Sequence, residues 1–235
     1  MAVVTATRLE AGPLLSELDA WPAPSWAPSW PALTAGELRG VPVVVASTGL
    51  GKASAAATVA ALLGASAGAV RAVVQVGVGG AYPGAAVGMG QAALAASELD
   101  LDLGVGRHPG WQGLEALAVP GDETRNRIDL AGPALDAASQ ATGLRALPFA
   151  TSDAVTALED DAAYLAGRFG VAVESMEGAG AARAAALLRV PFVEVRGVSN
   201  EVGVRDKSRW RLRDAVAAAC QAAPAAIAAV WEVVA

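Results

Sequence analysis

A three-layer α/β fold, with a central mixed sheet flanked by helices, is what this chain's pattern predicts, and three observations predict it. Short Val-rich runs alternate with longer Ala/Leu-rich stretches, the alternation that builds parallel or mixed sheets with helices on both faces. An acidic group stands at a strand-to-helix boundary in Val173-Glu174-Ser175-Met176-Glu177-Gly178-Ala179, and a lone amide, Asn200, follows the apolar run Pro191 to Val195. Both would then point into one crevice beyond the strand ends, where such folds keep their sites. Third, no linker-like change of composition interrupts the 235 residues, so residues 1–235 are expected to form one domain.

Strands are expected at about Ala2 to Thr5, Val41 to Ser47, Val70 to Val76, Gln91 to Ser97, Leu144 to Ala150, Val171 to Val173 and Phe192 to Val198. Helices fill the gaps at about Glu10 to Leu18, Lys52 to Leu63, Ala134 to Thr142, Asp160 to Phe169, Glu177 to Leu188 and Ser208 to Val234. Ser208 suits an N-cap, and Pro224 should bend or break the last helix. The Gly/Pro-containing segment Gly104 to Thr124, with Trp111, reads as a loop over one face that could cover a site. Pro24-Ser25-Trp26 recurs as Pro28-Ser29-Trp30 just after Trp21-Pro22, which suggests a loop packing its rings on the body of the protein. A subunit interface or an apolar lid are the other uses of that segment.

Composition excludes several functions. The formal charge is −6, and no Lys/Arg block offsets it, so a nucleic-acid partner is not expected. Cys220 is the only cysteine; no internal disulfide can form, and its expected role is a small buried residue in an Ala-rich helix. Met1 to Ala6 is too short for the apolar core of an export signal, and Arg8 and Glu10 follow at once. The apolar stretch Ala215 to Val230 falls short of the roughly 20 residues a bilayer needs. A cytoplasmic protein without a membrane partner is expected.

The glycine motifs fail their stricter tests. Gly49-Leu50-Gly51-Lys52 invites a phosphate-loop reading, yet Ala46 stands where the first glycine belongs and Ala53 where the magnesium-binding hydroxyl belongs. Gly77-Val78-Gly79-Gly80 is followed by Ala81-Tyr82-Pro83-Gly84, which lacks the third glycine of a dinucleotide fingerprint. These glycines better suit a turn that a small ligand can approach closely. His108 is the only histidine, so a His-based triad or multi-His metal site is not expected, nor is any cofactor. Glu10 could be a first-turn helix residue favoured by the dipole, Glu174 and Glu177 could share a helical face, and Asn200 could simply turn the chain. Gly178-Ala179-Gly180 leaves room for close packing beside the acidic pair.

Taken in order, Ala6-x-x-x-Glu10, Ser47-Thr48-Gly49-Leu50-Gly51-Lys52, Val76-Gly77-Val78-Gly79-Gly80-Ala81, Thr151-Ser152-Asp153, Ser175-Met176-Glu177-Gly178-Ala179 and Arg196 to Arg205 resemble the purine nucleoside phosphorylase/nucleosidase superfamily. Within it the set is most similar to the futalosine hydrolases, with the methylthioadenosine/S-adenosylhomocysteine nucleosidases as relatives. The resemblance implies a phosphorylase/hydrolase-like fold and an N-glycosidase that converts futalosine to hypoxanthine and dehypoxanthinylfutalosine in menaquinone biosynthesis. It also implies a homodimer or larger homo-oligomer. By position, Glu10 matches the carboxylate that activates water, Met176 the residue packed on the ribose, and Glu177 the acceptor of ribose hydroxyls. Val78 and Gly79 would line the nucleoside, and Val155 and Thr156 would meet the purine edge. Two positions depart from the adenine-specific relatives: Asn200 replaces Asp, and Ser175 replaces a second Glu, with Glu174 displaced by one residue.

Chemistry supports the same assignment. N-glycosidic cleavage develops cationic character on the sugar, which a nearby carboxylate stabilises, while the leaving purine needs a donor or proton. Asn can donate to O6 of a 6-oxopurine and accept from a protonated N7, so hypoxanthine rather than adenine is the expected leaving base. Arg196 and Arg205 are candidates for a carboxylate on the remote end of the substrate, or for surface or subunit salt bridges. Other purine nucleosides, cleaved by water or by phosphate, remain the alternative, as does a nucleoside-binding protein without turnover.

Overall fold

A computed structural model describes residues 1–27, 32–106, 110–120 and 124–235. In chain order the elements are β1 (Ala2–Thr5), α1 (Arg8–Ser16), β2 (Asp19–Trp21), β3 (Leu33–Leu38), β4 (Val41–Ser47), α2 (Lys52–Ala65), β5 (Val73–Ala81) and β6 (Ala92–Asp100). There follow β7 (Arg127–Asp129), α3 (Pro133–Thr142), β8 (Ala146–Thr151), α4 (Glu159–Phe169), β9 (Val173–Ser175), α5 (Gly178–Leu187), β10 (Phe192–Glu201) and α6 (Leu212–Val234). Short 3₁₀ turns lie at Leu114–Leu117 and Lys207–Arg209.

The ten strands among the described residues belong to one mixed sheet. β5, β10, β6, β8 and β9 each pair with the next and β9 pairs back onto β5, which closes a five-stranded ring. β1, β4, β3 and β2 extend from β5 as an open arm. Successive strand residues face opposite layers, and the paired valines show it. Val3, Val43 and Val74 pack with Leu14 of α1, Leu135 of α3 and Ile227 of α6, whereas Val4, Val44 and Val73 pack with Val59 and Leu62 of α2 and Ala181 and Ala185 of α5. The sheet is thus sandwiched between helical layers.

Alanine and glycine set how closely those layers approach. Gly180 of α5 lies on the backbone of Lys52 at the start of α2, where an added Cβ would stand 2.8 Å from the Lys52 carbonyl carbon. At Gly197 the carbonyl of Ala215 in α6 occupies the place of a side chain. α6 is long and apolar enough to cross a membrane by length and composition, but its stripe Ala215, Ala219, Ala223, Ala226, Ile227 and Val230 is buried in the core. Cys220 is buried among them; its thiol donates to the Glu10 carbonyl at 3.3 Å, and burial raises its pKa to about 11.

Several sequence expectations need correction. β2, β3 and β7 went unforeseen: β2 is exposed throughout, β3 carries Gly36 and Glu37, and β7 spans three residues, so none shows an apolar run. Gly77 to Gly80 form no turn, because β5 runs straight through them. Ser208 lies in the 3₁₀ turn, capped by Asp206, and α6 begins at Leu212 after Arg211. Pro224 does not break α6, which continues to Val234 with the ring buried. The segment from Gly104 is not wholly irregular, since Val105 and Gln112 pair and Trp111 is buried edge-on to Phe169. Trp26 packs on the core beside Leu33, as a ring-packing loop would, while Trp21 is 41% exposed. Trp30 and His108 fall outside the described residues.

Candidate active site

Thr7 caps α1 and Glu10 completes the capping box: the Thr7 N–H and hydroxyl each donate to Glu10 Oε2 at 2.8 Å. The first-turn reading of Glu10 is therefore correct, yet the same carboxylate also leaves the helix. Its Oε1 accepts from the Val78 N–H at 3.0 Å and the residue lines a cavity of about 300 Å³. Oε1 thus takes one donor and retains acceptor capacity. Gly77 makes the approach possible, for a Cβ there would stand 2.7 Å from Glu10 Oε1 and 2.5 Å from the guanidinium of Arg196. Glycine inside a strand commonly marks such a close approach.

Glu177 sits just before α5, nearly fully buried in the wall of that cavity. The Gly51 N–H at the start of α2 donates to its Oε1 at 3.3 Å, and Arg196 pairs with its Oε2 at 3.2 Å. Burial raises its pKa most; Arg196 and the Gly51 N–H oppose that rise. The phosphate-loop-like Gly49-Leu50-Gly51-Lys52 thus presents its helix terminus to the protein's own carboxylates: the Lys52 N–H donates to Asp153 at 2.8 Å, and the Lys52 ammonium bridges Asp100 and Asp102.

Arg196 is not available to a substrate carboxylate. It is buried, donating through Nε to Glu194 at 2.7 Å and through a terminal nitrogen to the Val78 carbonyl at 3.1 Å, with Glu177 on its other side. Behind it, Glu98 and Glu194 are fully buried and meet across Gly178, where a Cβ would collide with both carboxyls. Burial, then the negative neighbour Glu194, raises the Glu98 pKa well above its ordinary value. The Thr151 hydroxyl donates to Glu98 at 2.6 Å. Sequence reading passed over Glu98 and Glu194. The signal was Glu194 and Arg196 two apart in an apolar strand, a spacing that places both on one face. The room left by Gly178-Ala179-Gly180 is filled by these carboxyls and by the Lys52 backbone.

Asn200 reaches the cavity from a bulge. β10 pairs in register with β5 until Val198 opposite Gly79, then Asn200 falls opposite Gly80, leaving Ser199 as the extra residue. One Asn200 N–H donates to the Glu201 carbonyl at 2.9 Å, and its Oδ1 lies 2.7 Å from the Ser199 hydroxyl, so a second N–H and further acceptor capacity are left for a ligand. Val78, Gly79, Val155, Thr156, Ser175, Met176 and Arg205 line the same cavity, together with Leu9, Leu50, Trp210 and Leu212, which the sequence did not single out. Arg205 is exposed, its guanidinium 5.3 Å from the centre of the Trp210 ring. The Ser175 hydroxyl lies 3.3 Å from the Gly178 N–H that donates to it. Glu174 borders the cavity, but its oxygens are occupied by Tyr82 and Thr156, which is not the arrangement of a carboxylate held ready for a sugar.

Known proteins resemble this chain in sequence and in fold. A family model described as the phosphorylase superfamily fits residues 1–235. The futalosine hydrolase of Thermus thermophilus is 36% identical over 185 residues, 79% of this chain and 81% of that protein. That of Streptomyces coelicolor is 46% identical over 87 residues, 37% of each chain. Among solved structures, a methylthioadenosine/S-adenosylhomocysteine nucleosidase from Colwellia psychrerythraea in complex with adenine superposes with a TM-score of 0.81, covering 97% of this chain and 94% of that one at 22% identity. Futalosine hydrolase of Helicobacter pylori gives 0.79, covering 97% and 96% at 17% identity. At those identities the structural matches speak for the fold.

Proposed function

The chain belongs to the phosphorylase superfamily, and on that premise we propose that it is an N-glycosyl hydrolase releasing hypoxanthine from futalosine, with dehypoxanthinylfutalosine as the other product. The observation that supports this most is the placement of two carboxylates, Glu10 and Glu177, and one amide, Asn200, around a single cavity. In this reading Glu10 orients a water through the free side of Oε1 and takes its proton as oxygen bonds to the sugar C1′. The C1′–N9 bond breaks and its electron pair passes to the purine; N7 takes from solvent the proton that makes the base a neutral leaving group, and Glu10 returns the proton it took from water to solvent. Glu177 receives the ribose hydroxyls, Met176 packs on the sugar, and Asn200 donates to O6 while accepting from N7–H.

A phosphate nucleophile fits this arrangement poorly, because Glu10 would place its charge against a dianion. Arg205 and the apolar rim of Leu9, Leu50 and Trp210 suit a substrate whose remote end is an aryl carboxylate. We place the enzyme in menaquinone biosynthesis, in the cytoplasm, and as a homo-oligomer. Incubation with futalosine, inosine, methylthioadenosine and S-adenosylhomocysteine, followed by chromatography of free base, tests the reading. Hypoxanthine from futalosine is expected; base released only from the adenine nucleosides would overturn it.

A further inference from the structure

We infer that Glu174 sets the base preference of this cavity by taking both donors of Thr156, so that Thr156 offers only acceptors to the purine edge; this rests on the nucleoside reading above. Glu174 lies on β9 opposite Gly80, and the bare Gly79 next to it lets the Glu174 backbone come close. Its Oε1 accepts from the Thr156 N–H at 2.9 Å. Its Oε2 accepts from the Thr156 hydroxyl and from the Tyr82 phenol, each at 2.6 Å. Tyr82 is 2% exposed, and burial followed by the charge of Glu174 drives its pKa far up, so it too stays a donor. Among these groups every proton points at one carboxylate.

Thr156 lines the cavity, and with both its protons spent on Glu174 its hydroxyl and carbonyl have only lone pairs to offer there. A 6-oxopurine carries hydrogen on N1, and a 6-aminopurine carries a lone pair there. The acceptor-only rim therefore pairs with the first and sets lone pair against lone pair with the second. Asn200 acts at O6 and N7, whereas Glu174, through Thr156, acts at N1. Glu174 is thus a positioning residue, and the displacement of this glutamate by one place from the relatives' pattern acquires a use.

The test is the ratio of kcat/KM for futalosine to that for its 6-amino counterpart, in native protein, Glu174→Gln and Thr156→Val. Gln brings one oxygen and an NH₂ in place of two oxygens, so it cannot accept all three protons, and Thr156 regains a donor, its N–H or its hydroxyl according to the amide's orientation, for the cavity. Thr156→Val keeps the shape and removes the hydroxyl acceptor while leaving the carbonyl, which serves if Glu174→Gln folds poorly. In both variants the ratio should fall by about tenfold or more, a fraction of the ~10⁴–10⁵ that a hydrogen-bonding site can reach. Rates that fall equally on both substrates, with the ratio unchanged in either folded variant, overturn the inference and leave the function standing. Native protein that releases no base from either substrate overturns the function and the inference with it.

Discussion

At the scale of single residues, catalysis in this account depends on Glu10 and selection on Asn200. Glu10→Gln keeps the size and one acceptor oxygen, enough for Thr7 on one side of the carboxylate, but loses the base that takes the proton from water. kcat should fall by about 10²–10⁴-fold with KM little changed, and steady-state kinetics that retain more than roughly a tenth of the rate would remove Glu10 from that role. Asn200→Asp exchanges a donor for an acceptor or a proton donor, so preference for the 6-oxo over the 6-amino substrate should shrink or reverse. An unchanged kcat/KM ratio would show that Asn200 does not read the base. The ordered motifs made these residues legible. The company they keep was not, because Glu98 and Glu174 gain their meaning from partners far away in sequence. Arg196 was misread for the same reason: sequence shows an arginine, and only the fold shows the carboxylates that enclose it.

At the scale of elements, the apolar runs were legible and the polar edge strands were not, since β2 buries nothing that would leave a pattern. β5 was cut short because its glycines look like a turn until Arg196, Glu10 and Glu174 are placed against them. The contact of α5 with α2 should tolerate no side chain: Gly180→Ala should cost about 1–3 kcal/mol or more through overpacking, read as a lower denaturant midpoint with unchanged slope. A midpoint equal to the native one would contradict the close approach. The carboxyl pair between β6 and β10 makes stability depend on pH. Because the folded-state pKa of Glu98 is raised, its contribution is complete below the unfolded value and is lost as pH rises through the folded one. Glu98→Gln cannot ionise, so its melting temperature relative to native should climb as pH rises from about 5, just above the ordinary carboxylate value. A constant difference would mean that Glu98 is already ionised at the lower pH.

At the scale of the whole molecule, layers and mixed sheet followed from the alternation of strand and helix patterns, whereas closure of five strands into a ring depends on pairings that no local pattern announces. That closure brings the ends of β5, β9 and β10 to one cavity, with α1 delivering Glu10 and the start of α2 supporting Glu177. Water, not phosphate, is the nucleophile that such a cavity is suited to activate. The direct measurement is the rate of hypoxanthine release from futalosine with phosphate removed and then restored, with the sugar product identified by mass. The account predicts equal rates and a sugar product bearing hydroxyl at C1′; a rate that requires phosphate, with a C1′ phosphate ester as product, would contradict it.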